Sequence, residues 1–255
     1  MSNSINTNIS VLIITLNEEN QMQSLLADLD FADEIIVVDS FSSDKTETIC
    51  KSFQKVKFFQ NTFENYPSQR NYAISLAKND WILFLDADER LTLELKAEIL
   101  ETIDKNKTFI AFQFRRKFMF KNKVLRFSGC QNDKIFRLFH KGFASYATQK
   151  LVHEKLITNG KTAVFKNKLL HYTYPNYASY KRKIISYGEL KASEKLKQNE
   201  YPSVLIQYLH PLYNFLFNYI TRLGFLDGKK GMIICYLNAY SIYIRYQKLR
   251  ILRKL

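Results

Sequence analysis

Four strand-like runs recur within the first 85 residues: ISVLIITL (9–16), IIVV (35–38), VKFF (56–59) and WILFL (81–85). A continuous apolar run of four to eight residues fits a strand buried on both faces. The stretches between the runs have helical spacing. Residues 21–29 form one helical stretch. Another, capped by Ser43 or Asp44, runs through 53. A third covers 68–77, with Tyr72, Ala73 and Leu76 on one side. A fourth starts at Thr92, carries Glu94 in its first turn and continues to about 103. Strands alternating with helices leave few architectures, chief among them a parallel sheet covered on both faces.

The fourth run ends in three carboxylates within four residues, Asp86, Asp88 and Glu89. A buried charge without a partner is costly, so this strand end needs a cation or a ligand. Residues i and i+2 of an extended segment share a face, so Asp86 and Asp88 aim the same way. Oxygen donors of this kind suit Mg²⁺ or Mn²⁺, which also bind a substrate's phosphates. Alone, Asp-x-Asp reads more readily as a solvated turn that caps the next helix. In open α/β sheets, however, ligands lie beyond the carboxyl ends of the strands. Asn17 to Glu19, Asp39 and Asp86 to Glu89 all follow strands, so one sheet edge should gather them.

From residue 109 the pattern changes. IAFQFRRKFMF, KIFRLFH and AVFKNKLLHYTY are β-like, with aromatic and basic residues interleaved. Helix returns over 177–197. The tail from 201 reads as two or three helices, broken near Gly224, Asp227 and Gly228.

Charge is uneven. Residues 181–255 hold 14 Lys and Arg against 4 Asp and Glu, whereas the first 180 hold 24 against 20. The last third therefore meets something anionic or is simply solvated. Its aromatic residues suit a lipid–water boundary and its cations suit anionic head groups. The same residues would also serve helices packed on a catalytic domain. The stretch 204–220 is interrupted by Gln207, His210, Pro211, Asn214 and Asn218, which makes a poor bilayer span. Three scattered cysteines argue against a disulfide framework and for a reducing cytosol, and the N-terminus lacks the basic region of a signal peptide.

The ordered motifs ISVLIITLNEE, EIIVVDSFSSDKT, SQRNYAIS and WILFLDADE resemble the family 2 glycosyltransferases, whose nucleotide-sugar-binding fold is called GT-A. Later pieces, FRLF (136–139), KLVHEKL (150–156), LLHYTY (169–174) and RLGFLDGKKG (222–231), resemble a narrower subgroup that includes lipopolysaccharide core β-1,4-glucosyltransferases. The resemblance implies a GT-A, mostly parallel central sheet flanked by helices, in a catalytic domain over 1–176. Residues 1–105 would be its nucleotide-sugar half and 106–176 its acceptor half. A helical, membrane-associating extension would cover 177–255.

The resemblance also implies roles. Thr15, Leu16 and Asn17 would line the base pocket, Glu19 would approach base or ribose, and Asp39 would bond the base edge. Arg70, with Gln69 nearby, would face the diphosphate, Asp86 would sit by the ribose, and Asp88 would bind Mg²⁺ or Mn²⁺. His171 is a further candidate metal ligand. An acid in the region of Glu154 would act as general base, and one base performing a single displacement inverts the anomeric centre. His153 stands where many relatives have an acid, and Arg115 and Arg116 are candidates for contact with a phosphorylated acceptor. Ser40 and Phe41 occupy positions where the commoner family pattern has an acid and a glycine.

The implied function is metal-dependent transfer of a sugar, glucose, from a UDP-sugar to a lipid-linked glycan such as the lipopolysaccharide inner core. It would take place at an anionic surface, the cytoplasmic face of the inner membrane. A polysaccharide or protein acceptor is the nearest alternative. A basic nucleic-acid-binding protein and a catalytically dead scaffold are the alternatives from other classes. No nucleic acid is expected, because no recognised nucleic-acid motif is present.

Overall fold

The computed structural model describes residues 8–120, 123–131, 133–147, 156–174, 177–199 and 203–253. The chain falls into two compact units, one of residues 1–116 and 134–171, the other of 117–133 and 172–255.

The first unit is built on one sheet. Strands β1 (Ile9–Thr15), β2 (Glu34–Asp39), β3 (Val56–Gln60) and β4 (Trp81–Leu85) are parallel, in the order β3-β2-β1-β4. Between them lie α1 (Glu19–Ala27), α2 (Thr46–Lys51) and α3 (Tyr66–Leu76). After β4 come a two-residue strand β5 (Glu89–Arg90) and helix α4 (Leu93–Lys105), capped by the Thr92 hydroxyl. The sheet then continues antiparallel. Of β6 (Ala111–Phe120), β8 (Lys134–His140) and β11 (Thr162–Tyr174), β8 inserts between β4 and β6, and β11 pairs with β5. A separate ribbon pairs β9 (Ala144–Tyr146) with β10 (Leu156–Thr158).

Period-two alternation divides the core. Ile9, Val11 and Ile13 face one way, against Met22, Leu25 and Leu26 of α1 and Leu95 and Ile99 of α4. Leu12, Ile36 and Val38 face the other, against Ala73 and Ala77 on the α3 side. Both faces are covered, which is why β1, β2 and β4 read as unbroken apolar runs. Helix α3 starts at Asn65, whose side chain accepts from Ser68 N at 2.9 Å, with Pro67 in its first turn. Such a cap is worth about 1 kcal/mol and sets where the helix delivers Gln69 and Arg70.

Glu34, at the start of β2, shows how this fold disposes of a buried acid that is purely structural. Its carboxylate accepts from Ser10 Oγ at 2.7 Å and Lys78 N at 2.9 Å, and pairs with Lys57.

The second unit holds a short hairpin and three helices. Met119 and Phe120 of β6 pair with β7 (Lys123–Val124). Helices α5 (Tyr177–Lys197), α6 (Val204–Leu216) and α7 (Lys229–Arg253) follow, with a π-helical turn at Phe217–Thr221 and a 3₁₀ turn at Gly224–Asp227. Asp227 accepts from the amides of Arg126 and Phe127 at 3.0 and 2.9 Å, which ties 123–131 to the turn before α7. Glycine is required at Gly231, where a Cβ would lie 1.9 Å from the Gly224 carbonyl oxygen. None of the three cysteines is in a disulfide, and burial pushes the Cys50 thiol up to about 12. No helix among the described residues is long and apolar enough to cross a membrane.

Candidate active site

Strand order reverses at β1. The chain moves from β1 outward to β2 and β3, then returns to place β4 on β1's other side. The crevice beyond the carboxyl ends of β1 and β4 is thus a topological switch point, the usual ligand site of such sheets. Asn17 follows β1, and Asp86 to Glu89 follow β4.

On the β1–β2 side, two loops are latched together. Asn17, in the left-handed region at φ 55°, donates its amide to Ser42 Oγ at 2.7 Å and accepts from Ser43 N at 2.8 Å. Glu19 accepts from Lys45 N and donates its own amide to Asp44. Asp39 is fully buried and accepts from both the amide and the hydroxyl of Ser42. Gln69 is also buried and braces the neighbouring loops, donating to Ser40 Oγ at 3.1 Å and accepting from Asn61 Nδ2 at 2.8 Å. Leu16 is exposed, and Thr15 Oγ1 is buried with no hydrogen-bond partner among the described residues.

On the β4 side, the three carboxylates divide their work. Asp86 is held by two guanidinium groups, Arg70 at 2.9 Å and Arg137. Arg137 also reaches Glu89 at 2.8 Å, and Arg116 lies 3.9 Å from Glu89. Glu89 folds back to accept from the Asp86 amide at 3.0 Å, closing the turn. Arg90 donates to Ala87 O, Gln21 O and Ser24 Oγ and so anchors that turn to α1. Arg70 stacks over Phe84, 4.4 Å from its ring centre, with Tyr146 at 5.4 Å.

Burial pushes the Asp86 pKa up, but Arg137 and Arg70 overcome it and hold this carboxyl well below the usual range. For Glu89 burial wins: its pKa is raised despite Arg137, with the Asp86 charge adding to the rise. The sign of the Asp86 contribution follows. Below its unfolded pKa, the unfolded chain binds a proton that the native chain refuses, so Asp86 stabilises the fold at neutral pH and that stability drains away in acid. Asp86→Asn should therefore flatten the acid limb of a stability–pH curve. Urea unfolding at steps between about pH 2 and pH 7 measures it, and a limb as steep as wild type's would exclude Asp86 as its source.

Asp88 is placed differently. Strand β11 pairs with β5 so that His171 stands opposite Glu89, and its Nε2 lies 3.2 Å from Asp88 Oδ1. The imidazole is buried. No group of three or more His, Cys, Asp or Glu side chains that could hold a metal occurs among the described residues. Asp88 and His171 together offer one carboxylate and one imidazole. That pair fits Mg²⁺ or Mn²⁺ of the kind that leaves most of its shell to water and phosphate. Asp86 and Glu89 are already engaged by arginine.

Residues 10–187 match the model of the family described as Glycosyl transferase family 2. The chain belongs to that family. This family 2 glycosyltransferase is 30% identical to an uncharacterised glycosyltransferase of Rickettsia bellii, over 98% of this chain and 88% of the relative. It is 24% identical to the lipopolysaccharide core biosynthesis glycosyltransferase LpsC of Rhizobium meliloti, over 93% of each. Among solved structures, S. aureus TarS 1–349 in complex with UDP-GlcNAc is similar at TM-score 0.49 and 16% identity, covering 96% of this chain and 91% of that one.

The structure of this family 2 glycosyltransferase brings Arg70, Asp86, Asp88 and His171 to one end of the sheet, with Arg116 at its margin. Arg115, the next residue along β6, is exposed. Glu154 and His153 lie outside the described residues. Arg137 is the residue that motif reading overlooked. It is fully buried, yet it sits in a strand, KIFRLFH, where an isolated cation reads as a solvent-facing position. The available signal was the surplus of acid at 86–89, which demands a buried countercharge.

Proposed function

We propose that this glycosyltransferase is inverting and metal-dependent. It would move glucose from UDP-glucose to a lipid-linked glycan acceptor such as a phosphorylated lipopolysaccharide inner core, at the cytoplasmic face of an anionic inner membrane. The reading rests first on the β4 strand end, where Arg70 and Arg137 engage Asp86 and Asp88 lies 3.2 Å from His171. The lipopolysaccharide acceptor is supported by the resemblance to LpsC along most of both chains.

In this reading Thr15, Leu16 and Asn17 receive the base, and the buried Thr15 hydroxyl has an unmet hydrogen-bond capacity that a ligand would satisfy. Asp39, fixed by Ser42, meets the base edge, and Glu19 sits by the base or ribose. Arg70 draws the diphosphate, with Gln69 holding the loops around it and Asp86 fixing the guanidinium beside the ribose. Asp88 and His171 would hold Mg²⁺ or Mn²⁺, which supplies Lewis-acid stabilisation of the departing diphosphate. Preorganised positive charge at a leaving group is commonly the largest catalytic term. Glu154 would take the proton from the attacking acceptor hydroxyl, with His153 beside it, and Arg115 and Arg116 would meet acceptor phosphate.

The test is a screen of UDP-, GDP- and dTDP-sugars for Mn²⁺-dependent hydrolysis and binding. UDP-glucose should be hydrolysed slowly without acceptor and bound more tightly with metal than without. Binding of none of these donors would overturn the proposal, and preference for another base or sugar would correct that part of it.

A further inference from the structure

Helix α6 has its polarity reversed. In a helix packed on a soluble core, apolar side chains face inward and polar ones face water. Here Gln207 and Asn218, 4% and 6% exposed, are the buried positions of 204–221, while Leu205, Tyr208, Leu209, Leu212 and Tyr213 are each more than half exposed. The buried amides are partnered within this unit. Gln207 Oε1 accepts from Arg250 at 3.0 Å, and Asn218 donates to the Asn214 carbonyl at 2.8 Å. His210 meets the Tyr246 hydroxyl at 2.7 Å. The helix is thus held to α7 by polar contacts and shows its oily side outward. That side continues into an open groove of about 240 Å³ walled by Tyr208, Leu212, Phe215, Tyr236 and Tyr240. Contiguous exposed apolar area of this kind marks an interaction surface.

We propose that this face of α6 is a monotopic membrane anchor, lying in the interface of an anionic bilayer. This deepens the membrane placement proposed above, though it does not depend on the donor site. Three observations favour lipid over a protein partner. First, no Asp, Glu, Lys or Arg occurs from 203 to 221, a composition suited to the acyl–headgroup boundary. Second, the sequence from 201 onward is almost all of one sign. Residues 201–255 hold eight Lys and Arg against a single acid, Asp227, whose carboxylate is occupied by the Arg126 and Phe127 amides. Anionic head groups complement that field, whereas a second copy of this chain would oppose it with its own. Third, α6 with the π-helical turn that continues it spans 18 residues, roughly 27 Å against a hydrocarbon core of about 30 Å, and no helix among the described residues is long and apolar enough to cross a membrane. It therefore lies along the interface. Exposed tyrosines at 208 and 213 suit that depth, with a wet hydroxyl and an apolar ring.

The test uses the full chain with vesicles of phosphatidylcholine alone or with phosphatidylglycerol. Wild type should float with the anionic vesicles and bind the neutral ones more weakly. Leu205→Asp with Leu209→Asp should weaken partition by about tenfold or more, since two apolar contacts become charges at the same face. These positions are exposed, so the variant should retain its thermal unfolding midpoint and its donor hydrolysis in solution. A second variant, Leu212→Trp, should show a blue-shifted emission that brominated lipid quenches. Vesicle binding untouched by the Asp pair, or an unquenched tryptophan, would overturn the anchor. So would absence of vesicle binding accompanied by a dimer that the Asp pair dissociates, which would make this face a contact between copies. If donor hydrolysis persists in any of these cases, the transferase reading survives while the anchor falls.

Discussion

Asp88→Ala is expected to lower donor turnover by about 100- to 1,000-fold while leaving the protein folded. The two aspartates of Asp-x-Asp have different surroundings. Asp86 lies between Arg70 and Arg137, so its charge is committed to the fold. Asp88 instead lies 3.2 Å from the His171 imidazole. Removing Asp88 should therefore abolish Mn²⁺ binding, read by electron paramagnetic resonance in the presence of UDP, with an unfolding free energy within about 1 kcal/mol of wild type. Asp86→Ala should show the opposite balance, a loss of stability first. Equal Mn²⁺ affinity in Asp88→Ala and wild type would remove Asp88 from the metal site.

The second large effect is on stability. Arg137 is fully buried and joins Asp86 to Glu89. Burial works against its charge, but the two carboxylates prevail and raise its pKa above the usual arginine value. Arg137→Met would leave the buried Glu89 and the half-buried Asp86 with less countercharge. Breaking a buried ionic group by deleting one partner typically costs about 3–5 kcal/mol. Urea unfolding followed by circular dichroism should show a loss of that size. Adding Glu89→Gln should recover part of it, because the surplus charge is then removed. A loss below about 1 kcal/mol, or no recovery in the double variant, would mean that Arg137 does not neutralise this strand end.

Some of this was legible beforehand, for identifiable reasons. Strands β1, β2 and β4 announce themselves because burial on both faces leaves no polar alternation. Helix α4 starts where Thr92 predicts, since the cap is a local hydrogen bond. The order of the later strands was not legible. Insertion of β8 between β4 and β6 is a long-range pairing, decided by which edges are left to cover. The approach of His171 to Asp88 depends on the register of β11 against β5, and a slip of one residue would have turned the imidazole to the other face. Arg137 was hidden because a cation in an aromatic strand carries no mark of burial. Helix α6 was hidden for the complementary reason: a sequence of leucines, tyrosines and amides does not say which set faces inward.

The second unit is stitched from two stretches far apart in sequence, 117–133 and 172–255, and Asp227 is one of the stitches. Cutting the gene before α5 to obtain a minimal, better-behaved catalytic fragment would therefore amputate only part of that unit. The Arg126 and Phe127 amides would lose their acceptor, and the hairpin around β7 would dangle without the helices it belongs with. Anyone trimming this enzyme for crystals does better to redesign the outward leucines of α6 than to shorten the chain.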